Sequence, residues 1–123
     1  MNVLLDTHIL LWWLKEDKKL SSLHRNTISD SANVCFISAA TIWEISIKSK
    51  LGKLKITDNY VSELREEGFL ELPISWDHAA RIKNLPLIHT DPFDRMLIAQ
   101  AQIEELVLAT VDERIKQYDV QVI

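Results

Sequence analysis

Short apolar runs alternate along the chain with longer stretches of mixed polarity. Val3-Leu4-Leu5 is an unbroken apolar run that ends in Asp6. A continuous run, rather than an alternating one, predicts a strand buried on both faces, as in the middle of a parallel sheet. Ile9 to Leu14 is too apolar for a loop and reads as a helix. Asp6 therefore falls where a central strand gives way to a helix. In open α/β sheets, ligands bind outside the carboxyl ends of the strands.

The same reading continues down the chain. A second, more polar helix is predicted from Ser21 to about Ser31, and a second strand at Val34 to Ile37. Ser38 suits the N-cap of the next helix, and Gly52 its C-terminal stop. Thr57 to Glu67 reads as a helix stopped in the same way at Gly68. Phe69 to Ile74 reads as a short strand interrupted by Pro73, and Ser75 to about Lys83 as a short helix. Asp91 caps a helix with Pro92 in its first position, running to about Glu104. Leu106 to Ala109 is a strand, Asp112 to Tyr118 a short helix, and Val120 to Ile123 a last strand at an edge. That gives about five strands with helices between them, the signature of βαβ units in a single α/β domain over residues 1–123.

Composition narrows the class. Apolar residues make up 47% of the 123, with only two Gly and three Pro, which excludes disordered and fibrous classes. The stretch Ile9 to Leu14 is far short of the ~20 residues that span a bilayer. Met1-Asn2-Val3 lacks a basic segment, so no secretory signal and no membrane association are expected. The single cysteine, Cys35, sits in the apolar run Val34–Ile37 and reads as a buried, inert thiol, which fits the cytoplasm. Net charge is −4, so binding of nucleic acid would need local cations to offset the acidic average.

Four acids stand out by position. Asp6 ends the first strand, Asp112 follows the fourth by two residues, Asp94 lies in the first turn of a helix, and Glu44 lies inside the helix after the second strand. Taken singly, Asp6, Asp91 and Asp112 read as helix N-caps. Asp94 would interact well with a helix N-terminus. Glu44 is harder to dismiss. At 100° per residue it shares a stripe with Ala40, Ile47 and Leu51, and a carboxylate on a core-facing stripe needs a Lys, an Arg or a shared divalent cation. If the first and fourth strands are neighbours, Asp6 and Asp112 emerge side by side. Clustered carboxylates repel, and a hard, oxygen-loving cation such as Mg2+ or Mn2+ relieves them. Zn2+ fits less well, because His8, His24, His78 and His89 lack paired ligand spacing and there is no Cys-x-x-Cys. An acid-rich Mg2+ site suits phosphoryl chemistry, and the chain has no P-loop.

Four segments carry a family resemblance: Leu4-Leu5-Asp6-Thr7-His8 with Leu11-Trp12-Trp13; Ser38 to Lys48 around Trp43-Glu44; Asp91-Pro92-Phe93-Asp94-Arg95 through Ala101; and Thr110-Val111-Asp112. Together they resemble the PIN-domain family, and within it the VapC-type toxins of bacterial toxin–antitoxin pairs. The resemblance implies a three-layer α/β/α sandwich with a mainly parallel five-stranded sheet. It implies an Mg2+- or Mn2+-dependent endoribonuclease, a homodimer, and a small antitoxin that blocks the site. The family's acidic quartet falls on Asp6, Glu44, Asp94 and Asp112, with Asp6 and Asp94 as first-choice ligands. Thr110 corresponds to the hydroxyl that orients the last acid or its water. Asp91 is a further acid of this branch, either a helix cap or a support to the site, and Thr7 is expected beside Asp6.

The remaining features have plain and functional readings. Lys48, Lys50, Lys53 and Lys55 form a basic run, read either as a solvated helix end or as contacts to an RNA backbone. Arg95 would pair with an acid or touch RNA, pairing being favoured. Trp43 and Trp76 read as core; of Trp12 and Trp13, one packs inside and the other serves an interface. A phosphatase of the haloacid dehalogenase type is the rival enzyme, but its Asp-x-Asp is broken here by His8. The non-enzymatic alternative is a PIN module that binds RNA or an antitoxin without cutting.

Overall fold

The first apolar run forms β1 (Asn2–Leu5), and Val3, Leu4 and Leu5 are each 0% exposed. In the computed structural model, which describes residues 1–123, three further strands join it: β2 (Val34–Ser38), β3 (Leu70–Leu72) and β4 (Val107–Ala109). The sheet runs β3-β2-β1-β4 and every pairing is parallel. The helices are α1 (Thr7–Leu14), α2 (Ser22–Ser29), α3 (Ala39–Lys50), α4 (Tyr60–Glu66), α5 (Trp76–Arg81) and α6 (Pro92–Glu104).

Successive strand residues point to opposite faces, so the sheet builds two cores. Val3 and Leu5, with Cys35 and Ile37 of β2, pack against Ile9, Leu10, Ile45 and Leu64. Leu4, with Leu72 and Leu108, packs against Leu97, Ile98 and Ala101 of α6. This is the expected three-layer arrangement. Each such buried aliphatic side chain contributes on the order of 1.5–3 kcal/mol. Both helix-stopping glycines are left-handed, Gly52 at φ +73 and Gly68 at φ +91, a conformation that any Cβ would strain.

The chain winds outward from β1 to β2 to β3, then returns through α6 to lay β4 on the other side of β1. The strand order therefore reverses at the β1–β4 crevice, where Leu5 is level with Ala109 and the Asp6 N–H donates to the Ala109 carbonyl at 3.1 Å. Asp6 and the residues after β4 emerge there together.

Several expectations change. The sheet has four strands, and the predicted fifth is reduced to one parallel bridge between Leu108 and Val122. Residues 121–123 still run along this edge, the Leu108 N–H donating to the Gln121 carbonyl (2.9 Å), the Ile123 N–H to that of Leu108 (3.1 Å) and the Thr110 N–H to that of Ile123 (3.2 Å). The expected helix from Asp112 to Tyr118 is a single 3-10 turn, Ile115–Gln117. On α3 the buried stripe is Ala40, Thr41, Glu44 and Ile45, while Ile47 and Leu51 face outward. Trp43 and Trp76 are not core: they are 60% and 93% exposed.

Arg95 is likewise not where an RNA contact would need it. It is buried, and it pairs with no acid. Its Nη1 donates to the carbonyls of Pro86 (2.9 Å) and His89 (3.3 Å) and to the Tyr118 hydroxyl (3.2 Å). Its Nη2 donates to the carbonyls of Ile82 (3.1 Å) and Leu85 (3.3 Å). The Tyr118 hydroxyl in turn donates to Pro86 O at 2.7 Å and accepts the His89 N–H at 2.8 Å. This fork gives the irregular segment from Leu85 to His89 the partners it lacks as regular structure. Arg95→Ala should therefore lower stability by about 3 kcal/mol or more in urea denaturation, because several buried carbonyls lose their donor at once. Arg95→Lys should recover less than half of that, since one ammonium cannot serve both sides of the fork.

Candidate active site

Asp6 closes β1 and caps α1, its Oδ1 accepting the Ile9 N–H at 2.8 Å. It is buried, and burial pushes its pKa up; hydrogen bonds from the Thr110 hydroxyl and Ile9 N–H restrain the shift. Thr110 directly follows β4, is buried, and also accepts the Asp112 N–H at 3.0 Å. That hydroxyl thus ties Asp6 to the chain bearing Asp112.

Asp112 caps its own turn. Its Oδ1 accepts N–H bonds from Arg114 (2.7 Å) and Ile115 (3.2 Å), and its Oδ2 lies 3.3 Å from His89 Nε2. Partial burial alone would raise its pKa, but the two amides and His89 outweigh it and hold the carboxyl below its ordinary value.

Asp94 stands in the first turn of α6, where Asp91 Oδ1 accepts its N–H at 2.9 Å. Its Oδ2 is 2.9 Å from His89 Nε2. Burial, followed by the neighbouring charges of Asp91, Asp6 and Glu44, pushes its pKa up to about 7 against the pull of His89. Asp91 therefore both caps the helix and adds negative charge to the site.

Glu44 enters from α3 and is 5% exposed. Its Oε1 accepts the Thr7 hydroxyl at 2.7 Å and its Oε2 the Lys48 ammonium at 2.6 Å. Thr7 Oγ1 also lies 3.3 Å from that of Thr41, so two buried hydroxyls support the carboxylate. Lys48 is the cationic partner the buried acid required, and it is half-exposed at the edge of the cleft. Lys50 and Lys53 are exposed and stand apart: Lys50 lies about 9 Å further along the helix axis than Glu44.

The fold thus brings Asp6, Asp94, Asp112, Thr110, Asp91, Glu44, Thr7 and Lys48 to one place. It adds His89, whose Nε2 faces two of the acids. Sequence reasoning passed over His89 because no second histidine lies at ligand spacing. The available signal was its place two residues before the cap Asp91 and five before Asp94.

The donor set fits a hard divalent cation. Asp94 sits among three other carboxylates, with Lys48 engaged on Glu44 alone, and every acidic donor is an oxygen. Asp94 and Asp112, in one group with His89, offer donor atoms close enough to share such a cation, and Asp6 lies near enough to raise Asp94.

A family model described as PIN domain matches residues 3–121. No curated protein sequence matches the chain. Among solved structures, the chain resembles VapBC2 from Rickettsia felis bound to a DNA fragment from their promoter, with TM-score 0.75 and 17% identity over 100% of this chain and 98% of that one. It resembles DNA-bound VapBC from Salmonella typhimurium with TM-score 0.70 and 14% identity over 100% and 97%. It also resembles the PIN domain endonuclease Utp24, with TM-score 0.56 and 19% identity over 94% and 74%. At these identities the likeness is one of fold.

The raised pKa of Asp94 has a thermodynamic consequence. Ionising Asp94 costs more in the folded protein than in the unfolded chain, so stability falls as pH rises from 3.8 to about 7. Asp112, shifted the opposite way, loses its contribution only as pH falls through its own lower range. Metal-free Asp94→Asn should therefore be more stable than wild type at pH 8 and nearly equal to it at about pH 3, below the unfolded carboxyl's range. The difference at pH 8 should be at most about 4 kcal/mol, reduced where water reaches the carboxyl. Paired thermal melts at the two pH values measure it.

Proposed function

The chain belongs to the PIN-domain family, and we propose that it is a divalent-metal-dependent endoribonuclease, the VapC-type toxin of a toxin–antitoxin pair. The observation that carries this reading is the convergence of Asp6, Asp94 and Asp112 at the β1–β4 crevice, with Glu44 near enough to raise Asp94. Capping alone does not need three acids and a fourth from another helix at one point.

In this reading Asp6 and Asp94 supply the first metal-binding oxygens, and Asp112 and Glu44 complete the acidic wall. When bound, Mg2+ or Mn2+ lowers the pKa of water and neutralises charge on the phosphate. Thr110 orients Asp6 and Asp112 together; Thr7 and Lys48 orient Glu44 and leave a cation at the rim where a phosphodiester would lie. Exposed Lys50 and Lys53 extend that cationic side for the RNA backbone beyond the cleft. The reaction joins a water oxygen to phosphorus and breaks the P–O3′ bond, leaving a 5′-phosphate and a 3′-hydroxyl. It needs no 2′-hydroxyl nucleophile.

A small antitoxin protein is the proposed partner, supported by the likeness to VapBC assemblies. A homodimer is proposed because Trp43, Trp76 and Leu87 leave large apolar side chains uncovered on the monomer. No helix is long and apolar enough to cross a membrane, and the cytoplasm is the proposed location.

The test is cleavage of a mixed RNA pool by the purified protein with Mg2+, with Mn2+ and with EDTA, beside identically purified Asp94→Asn and Asp6→Asn. Metal-dependent cuts bearing 5′-phosphates should fall by at least about 100-fold in both variants while RNA binding persists. Binding without cleavage by wild type, with either metal present, would instead support the non-cleaving module.

A further inference from the structure

His89 lies among the acids without a role in the reading above. Its ring is buried, and the backbone on both sides is pinned: its N–H donates to the Tyr118 hydroxyl at 2.8 Å, and its carbonyl accepts from Arg95 at 3.3 Å. The ring itself has three polar neighbours. Nδ1 lies 3.2 Å from the Asp91 N–H, while Nε2 lies 2.9 Å from Asp94 Oδ2 and 3.3 Å from Asp112 Oδ2.

These contacts decide the tautomer. A backbone N–H can only donate, so Nδ1 must accept and carries no proton. A neutral imidazole with a bare Nδ1 has its proton on Nε2. That N–H is directed at Asp112 Oδ2, its hydrogen-bond acceptor, while Asp94 Oδ2 lies beside it within ion-pair distance. We propose that His89 is a positioning residue: its Nε2–H, hydrogen-bonded to Asp112 with Asp94 against the same nitrogen, fixes the separation of the two acids, and the ring does not itself bind the metal.

Proximity alone would suggest a ligand, because His89, Asp94 and Asp112 each offer an atom within 4.8 Å of the others. The hydrogen bonds oppose it. With Nδ1 engaged by Asp91 and Nε2 protonated, the ring has no lone pair facing the site, so only the carboxylates can donate to a cation. The ring instead donates to one oxygen of Asp112 and lies against one oxygen of Asp94. Asp112 Oδ1 is already held by the Arg114 and Ile115 amides. Asp94 Oδ1 accepts no hydrogen bond from the protein. Partners of this kind, which orient ligands without being ligands, typically change metal affinity or activity by about 10- to 100-fold when removed.

This inference rests on the metal-dependent reading, and two measurements separate them. The first is 15N NMR of the histidine rings at pH 8. His89 should show its proton on Nε2 and an unprotonated Nδ1, unchanged on adding Mg2+. A proton on Nδ1, or loss of the Nε2 proton when Mg2+ is added, overturns the proposal. The second is calorimetric titration of Mn2+ into wild type, H89A, H89Q and D94N. H89A should bind Mn2+ about 10- to 100-fold more weakly. H89Q, whose side-chain amide can place an N–H at similar reach, should recover most of that loss; it also serves if H89A does not fold. Wild-type affinity in H89A, or no recovery in folded H89Q, sinks the positioning role alone. No Mn2+ binding by wild type sinks the metal-dependent reading and this proposal with it.

Discussion

Mutual repulsion of carboxylates at the β1–β4 crevice is the constraint around which the molecule is arranged. Asp6, Asp94 and Asp112 are delivered there by the ends of two strands and the start of a helix, and Glu44 approaches from a third side. Left alone, such a cluster would spread apart or take up protons, and the pKa of about 7 at Asp94, raised first by burial and then by its acidic neighbours, includes the second response. The fold resists the first by anchoring each acid to something rigid. Asp6 and Asp112 accept backbone amides, Glu44 accepts a threonine and a lysine, and Asp94 is held through its own N–H and through His89.

Capping and chemistry are not competing roles here. An N-cap aspartate uses one oxygen on the helix and turns the other outward, toward the region where helix dipoles are positive. Asp112 divides its oxygens in this way, Oδ1 to two amides and Oδ2 to His89. Asp91 uses the same geometry to fix the amide of Asp94, the most perturbed acid of the site. The local structural preference of Asp thus preorganises the site, so little side-chain freedom remains to be lost when a cation or substrate arrives.

Support for the site extends well beyond it. Arg95 and Tyr118 organise the segment that carries His89, although neither faces the acids. On the opposite side of α6, Gln100 accepts the Ser38 hydroxyl at 2.6 Å, joining the end of β2 to the helix that bears Asp94. Both ties are buried polar contacts between irregular or terminal pieces of backbone, where a misplaced partner would cost most.

Local pattern was enough to mark β1 as a doubly buried strand, to place Asp6 and Asp91 at helix starts, to stop α3 and α4 at glycines, and to single out Glu44 as an acid in need of a partner; Asp112 caps a short turn where a helix was expected. Each follows from forces acting within a few residues: strand burial, amide capping, left-handed backbone and desolvation. Side-chain destinations set by distant chain were not legible. Arg95 reads as the partner of an acid or a contact to RNA until the segment from Leu85 to His89 folds over it, and Trp43 reads as core until Ala40, Thr41, Glu44 and Ile45 take the inner face of α3. His89 acquires its role only because α6 brings Asp94 and β4 brings Asp112 to one ring nitrogen from 5 and 23 residues away. A single sequence records which groups can donate or accept; which of them meet is decided by the pairing of β1 with β4, a contact between opposite ends of the chain.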